Sequence, residues 1–391
     1  MRKNIVFLLV LMTATTAVFA GPEEVDVYTW LYNASQSNSG QLDILMQMEQ
    51  ARLTGAGEFY ARALRRLLSE YRNITNVTEK LAADDQAMIL SALLGAEKYT
   101  QAAPDLWLTV ELFAAPLVKA EALMALGKIR ATTYFPQVRR VLEVLNGAPT
   151  SDPLNGERIA FGAIIALEKF GEPNGYLPVY FASTGWYSDR IRQQAKRSLP
   201  FIAKDPAPYM LEIVKESTYD YTAKYNALEH IEGTDAPNAD KANVAVAALA
   251  EGWRSNSSDP QLRTTLASIR KLAMDMLAKY RTTDESIYPL LERSYSRGID
   301  QDEKFKAIKA LASQRTDEGA RILSGFLMEL NAKRQSGNIR QEDEVMVREV
   351  IPALGHAGRP IGRPSLNAVI NLDWVPAVKT LAQSALNQIG N

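Results

Sequence analysis

The side chains able to do polar chemistry are few, and their spacing says what that chemistry can be. The chain has no cysteine and only two histidines, His230 and His356. Without thiols there is no disulfide, no thiolate metal site, no cysteine nucleophile and no lipid-bearing cysteine, and two histidines cannot build a His-rich metal site. His230 stands where the chain elsewhere repeats an alanine, which predicts a packed, hydrogen-bonded imidazole. Three acidic groups, Asp84-Asp85, Asp284-Glu285 and Glu342-Asp343-Glu344, have the look of paired carboxylates. Each is expected at the start of a helix, where negative charge offsets the N-terminal dipole. No Gly-x-Ser-x-Gly, no His-Glu-x-x-His and no Gly-Lys-Ser/Thr phosphate loop occurs. No catalytic, cofactor-binding or metal-binding residue is therefore expected.

Two segments carry the expected binding residues. From Gly355 to Pro364 the chain is glycine-rich and basic, with Arg359 and Arg363 far from any acid in sequence and three glycines and two prolines around them. That composition predicts a non-helical loop able to meet an anion. Trp186 and Tyr187 follow Gly185, which predicts a turn that exposes two aromatic rings, the kind of pair that anchors an interface. Trp30, Trp107, Trp253 and Trp374 are spread along the chain, and core packing is the expectation for most of them.

The elements that position these residues come from an internal repeat. Val118-Lys119, Ala122 and Ala125-Leu126 define a skeleton: apolar, basic, then alanines at the fifth and eighth places with leucine after the second. It returns at Ile269-Arg270, Ala273, Met276-Leu277 and at Val378-Lys379, Ala382, Ala385-Leu386, and nearly intact at Ile191-Arg192, Ala195, Ser198-Leu199. Looser copies begin at Ile159, Ala223, Glu303 and Met346, so that copies are 32 to 46 residues apart, the step of helical-hairpin repeats. Alanines three apart share a helix face and let the next helix approach closely. The basic residue, at Lys119, Arg192, Lys224, Arg270, Lys304 and Lys379, suggests a ladder that bonds acids or carbonyls of the adjoining repeat. Gly127, Gly171, Gly233, Gly355 and Gly390 follow copies where a helix C-terminus wants a left-handed residue. Second helices are expected at 135–145, 209–214, 242–253, 287–295 and 320–330. No alternating run is long enough for a sheet, so the fold class is all-α.

This skeleton resembles the second helix of HEAT repeats, including the HEAT-like type of bilin lyases, with Val118 to Ile129 and Val378 to Ile389 the closest matches. The resemblance covers about residue 85 to 391. It implies an α-solenoid of stacked antiparallel helix pairs and assigns no active site. Residues 21–84 break the pattern and are expected to form an atypical helical N-terminal cap, as the ends of such stacks require.

Residues 1–20 read as a secretory signal peptide. Arg2 and Lys3 open it, Ile5 to Met12 is apolar, and Val18-Phe19-Ala20 offers a cleavage site after Ala20. The apolar core is too short to span a membrane. Removing it takes two basic residues and moves the formal charge from −1 to −3, a balance that does not favour nucleic acid as a partner. The expected protein is thus an exported, periplasmic or extracellular non-catalytic scaffold with no cofactor, which binds another protein or an extended peptide in the cell envelope through the concave solenoid surface lined by the second helices. A lyase-type or other enzymatic HEAT-like module and a polysaccharide or envelope-polymer binder are the alternatives. The oligomeric state is open. N-terminal sequencing of the protein recovered from outside the cytoplasm should begin at Gly21; a chain that begins at Met1 would contradict the export reading.

Overall fold

Apolar residues at helical spacing, opened by side-chain caps and proline, account for the architecture. The computed structural model describes residues 22–147, 149, 151–255 and 258–389; the signal-type segment 1–20 and Gly390 lie outside them. Among the described residues there are twenty α-helices and no strand. Asn76, Asp152 and Asp259 each accept a hydrogen bond from the first turn of the helix they precede. Pro116, Pro153, Pro260 and Pro376 stand in first turns, where no backbone donor is needed. No helix among the described residues is long and apolar enough to cross a membrane.

The chain divides into two compact units, Met1–Lys204 and Asp205–Asn391. In the first, α1 (Pro22–Ala34) packs on α2 (Asn38–Ala51). There follow α3 (Gly57–Glu70), α4 (Val77–Ala96), α5 (Ala103–Leu112), α6 (Pro116–Lys128), α7 (Phe135–Gly147), α8 (Pro153–Phe170), α9 (Tyr176–Thr184) and α10 (Asp189–Ile202). The even-numbered helices form one row in which each touches the next: α2 to α4, α4 to α6, α6 to α8, α8 to α10. The odd-numbered helices form a second row, each packed on the even helix that follows it. The second row is looser, with α3 meeting α5 and α7 meeting α9 while α5 and α7 stand apart. The second unit repeats the plan. Its odd row is α11 (Ala207–Lys215), α13 (Asn238–Arg254), α15 (Ile287–Arg297), α17 (Asp317–Gln335) and α19 (Arg363–Asn371). Its even row is α12 (Tyr221–Glu232), α14 (Pro260–Lys279), α16 (Gln301–Gln314), α18 (Gln341–Ala357) and α20 (Pro376–Gln388). Every expected second helix is a helix of an odd row. Residue 84, the expected end of the cap, falls inside α4.

The even rows are tight because small residues face each other across them. A Cβ on Gly127 of α6 would lie 2.6 Å from the Cα of Ala166 in α8, and one on Gly162 of α8 would lie 2.7 Å from the Cα of Ala120 in α6. Gly95 of α4 approaches Ala125 of α6 in the same way, and Gly355 of α18 approaches Ala385 of α20, at 3.1 and 3.0 Å. This corrects the expectation that Gly127 and Gly355 cap helices. Both lie inside them, because the helix runs on past the Ala-Leu pair and uses the missing side chain for contact. Gly171, at φ 66°, does cap α8 in the left-handed region, whereas Gly233 follows α12 at φ −79°. Asp84 and Asp85 likewise sit within α4 and not at its start. Asp84 accepts a hydrogen bond from Tyr71 Oη at 2.7 Å, and burial holds its carboxyl above the usual range.

The basic ladder forms where an acid waits for it. Arg270 of α14 donates from Nε and Nη2 to Glu303 of α16 at 2.6 and 3.0 Å, and from Nη1 to the Gly252 carbonyl at 2.8 Å. Glu303 is 0% exposed and also accepts from the Ile299 amide at 2.9 Å. A Cβ on Gly252 would meet the Arg270 side chain at 2.5 Å, so glycine makes room for it. Lys224 of α12, also buried, donates to Glu251 of α13 at 2.5 Å. Arg192 departs from the ladder and pairs with Asp189 of its own helix.

Two stability outcomes follow. Gly127→Val should destabilise by about 1–3 kcal/mol through overpacking, whereas Gly325→Ala in α17, with no atom within 4 Å, should be neutral or stabilise by up to about 1 kcal/mol. Chemical denaturation of both variants checks the contrast, and equal stability would refute the tight row. Glu303→Gln strips a buried guanidinium of its charge partner and should cost about 3–5 kcal/mol, more than the paired change Arg270→Met with Glu303→Leu. The double-mutant cycle measures it, and a Glu303→Gln loss no larger than that of the pair would be the contrary result.

Candidate functional site

The two segments singled out by sequence are occupied within the fold. Gly185 ends α9, and Trp186 and Tyr187 follow it with their rings stacked, 4.2 Å between centroids. Trp186 donates its indole N–H to the Leu145 carbonyl at 2.9 Å, and Tyr187 donates its hydroxyl to Asn146 Oδ1 at 3.0 Å. Tyr187 is 2% exposed. The expectation of an exposed pair is therefore corrected: the rings are drawn in to satisfy polar groups at the end of α7. Burial pushes the pKa of the Tyr187 phenol well above its ordinary value.

The glycine-rich basic segment is also more regular than its composition suggests. His356 belongs to α18, Gly358 at φ 67° caps that helix, Pro360–Gly362 is a single 3-10 turn, and Arg363 opens α19. Its prolines stand in first turns, so they start helical structure where they were expected to prevent it. Arg359 donates to the Arg315 carbonyl at 2.8 Å and lies 3.6 Å from Asp317. Arg363 is also engaged. Sequence distance from an acid did not leave these side chains unpaired. His230 is half-buried in α12 and engaged as well. Among the described residues no three His, Cys, Asp or Glu side chains are grouped to hold a metal ion.

Two open features lie where odd-row helices part. In the first unit a groove of about 570 Å³ separates α5 from α7. Trp107 and Val110 form one wall, Pro136, Val141, Val144 and Leu145 the other, and Ile159 of α8 adds to the floor. Trp107 is held in place by a 2.8 Å hydrogen bond from its indole N–H to Glu111 and by stacking on Tyr134, 5.9 Å between centroids. Val144 is 60% exposed. Lys119 and Arg140 stand at the rim, Arg140 3.7 Å from Glu143. A groove of that size, apolar inside with a few polar groups around it, is the ordinary form of a docking site. In the second unit the matching gap, between α15 and α17, is larger and is lined by charged residues instead.

The sequence reading missed Trp107 and Val144 because both carry the helical spacing of core residues. Val138 and Leu142 of α7 are fully buried, while Val141 and Val144, on the next strip of the same helix, are not. The one signal available was that the apolar strip of 135–145 is wider than a helix with a single packed face requires. Trp30 departs from core packing as well, at 68% exposed on α1.

No family model matches the chain, and no curated protein matches it. Among solved structures it is similar to an engineered protein, 15% identical, over 94% of this chain and 99% of that one, with a TM-score of 0.32. A likeness that loose supports no argument about fold or function.

Proposed function

We propose that the protein is an exported scaffold of HEAT-like helical repeats, which docks an apolar segment of another envelope protein into the groove between α5 and α7. The observation that carries this reading is the groove itself: an apolar surface left open to solvent between α5 and α7. Leaving Val144, Val141 and the Trp107 ring in water has a standing cost that scales with apolar area, about 25 cal/mol per Å². A partner side chain would remove it. The signal-like residues 1–20 support the compartment, and the repeat skeleton supports the class of protein. Stacked helical repeats offer extended faces for protein partners and carry function in such surfaces.

The partner fits a stated chemistry. Its contacting residues should be apolar, with an acid placed to meet Lys119 or Arg140 at the rim, as in an amphipathic helix or extended segment laid into a groove. The polymer-binding alternative looks to exposed aromatics such as Trp186. The Trp186 ring is half-buried and its indole N–H is bonded to the Leu145 carbonyl, which leaves it less surface to offer a polymer.

Affinity capture from the organism's own envelope extract tests the reading. The wild-type protein should retain a stoichiometric protein that Val144→Glu does not, since the new charge sits in the groove while the exposed position spares the fold. A partner held equally by both proteins would place docking elsewhere. A retained polymer or small molecule with no protein would overturn the scaffold reading altogether.

A further inference from the structure

The gap between α15 and α17 has the same origin as the apolar groove and a different chemistry. It encloses about 990 Å³, at the upper end of ligand pockets. Tyr295 of α15 stacks on Phe326 of α17, 3.7 Å between centroids and 12° between planes, which joins the two walls. Around them stand five basic residues, Arg293, Arg297, Lys304, Arg321 and Lys333, and four acidic ones, Glu292, Glu329, Glu342 and Asp343.

Some of these charges are already matched. Lys333 donates to Asp343 at 3.0 Å and lies 3.4 Å from Glu329. Arg321 is bonded to Glu318 and feels the charge of Glu292. The acids beyond the groove's end are taken too, since Asp300 and Asp302 pair with Lys271. Among the described residues the side chains of Arg293, Arg297 and Lys304 make no hydrogen bond and no ion pair, and on the acidic side Glu292 and Glu342 make none. The groove therefore holds three unpaired basic side chains against two unpaired acidic ones.

Arg293 is also held ready. Its guanidinium lies 4.4 Å from the centre of the Trp253 ring, and that ring is fixed by a 2.9 Å hydrogen bond from its N–H to Ser294 and by Arg270 at 4.0 Å. Its Nε is buried without a partner. A stacked guanidinium gives up little freedom when it binds, and its fork matches the geometry of a carboxylate or phosphate. Arg297 lies one turn further along the same helix, and Lys304 enters from α16.

We infer that the α15–α17 groove is a binding site for an oxyanion-bearing ligand, a carboxylate or phosphate group received by Arg293, Arg297 and Lys304. It lies in the second unit and is independent of the docking groove between α5 and α7, so either can fail without the other.

Titration calorimetry of the full chain tests it with three probes: inorganic phosphate, a uronic acid trisaccharide and a neutral trisaccharide. Either anion should bind saturably at one site and more weakly as salt rises, and the neutral sugar should not bind. Arg293→Gln and Lys304→Gln should each weaken the bound anion about tenfold; Arg321→Gln, whose charge is already paired, should not. Lys304→Gln leaves the Trp253 stack intact and so separates a lost contact from a disturbed fold. Binding of phosphate alone or of the uronate alone would name the source of the oxyanion. Absence of saturable binding by both anions, or binding that neither Arg293→Gln nor Lys304→Gln weakens, would overturn the assignment.

Discussion

Gly127 lies so close to the backbone of Ala166 that no side chain fits between them, and Gly162 answers it against Ala120. This pair of contacts between α6 and α8 is the constraint on which the rest of the first unit depends. Helices that meet through Gly and Ala come closer than helices that meet through Leu or Phe, and the approach fixes their spacing within a few tenths of an ångström. The second unit uses the same device where Gly355 of α18 meets Ala385 of α20. Where it lacks the glycine it uses charge, and the buried Arg270–Glu303 pair joins α14 to α16. A buried pair of that kind adds little net stability over an apolar one but tolerates only one register, since displacement would strand both charges.

A tight row on one side of a two-layered stack sets what happens on the other. Contact within the odd rows is uneven: α11 and α13 pack closely, whereas α5 and α7 stand apart and α15 touches α17 only sparingly, so gaps open at those steps. What lines each gap is then free to differ. Trp107, Val141 and Val144 make one gap apolar, while Arg293, Arg297 and Lys304 line another with unpaired basic side chains. Repetition of the backbone plan supplies the sites, and the side chains that the packing does not need give each site its chemistry.

Much of this was legible in the residues. The recurring apolar-basic-Ala-Ala-Leu skeleton marks the even-row helices, and the helical spacing of Val138, Leu142 and Leu145 marks α7 of the odd row. The glycines were misplaced because a glycine after Ala-Leu has two uses, the left-handed cap and the close approach. Only the partner helix tells them apart: Gly171 takes the first role, Gly127 the second. The Arg359–Arg363 segment was misread for a similar reason. Proline breaks helices in their interior and begins them at the first turn, and composition alone does not say which. Trp186 and Tyr187 were misread because the acceptors that draw them in, Leu145 and Asn146, are about 40 residues away in sequence. The grooves were illegible for the deepest reason. A residue that faces a gap and one that faces a core have the same spacing on the helix, and the gap exists only once two rows of different tightness are assembled.

The central claim is that the α5–α7 groove is where a protein partner sits. Because the chain has no cysteine, Val144→Cys gives a protein with a single thiol inside that groove, and Lys379→Cys gives a control on α20. The measurement is the rate of thiol alkylation of each variant, alone and with the captured partner added. The account predicts that the partner slows modification at position 144 and leaves position 379 unchanged. Equal rates at position 144 with and without a bound partner would contradict it.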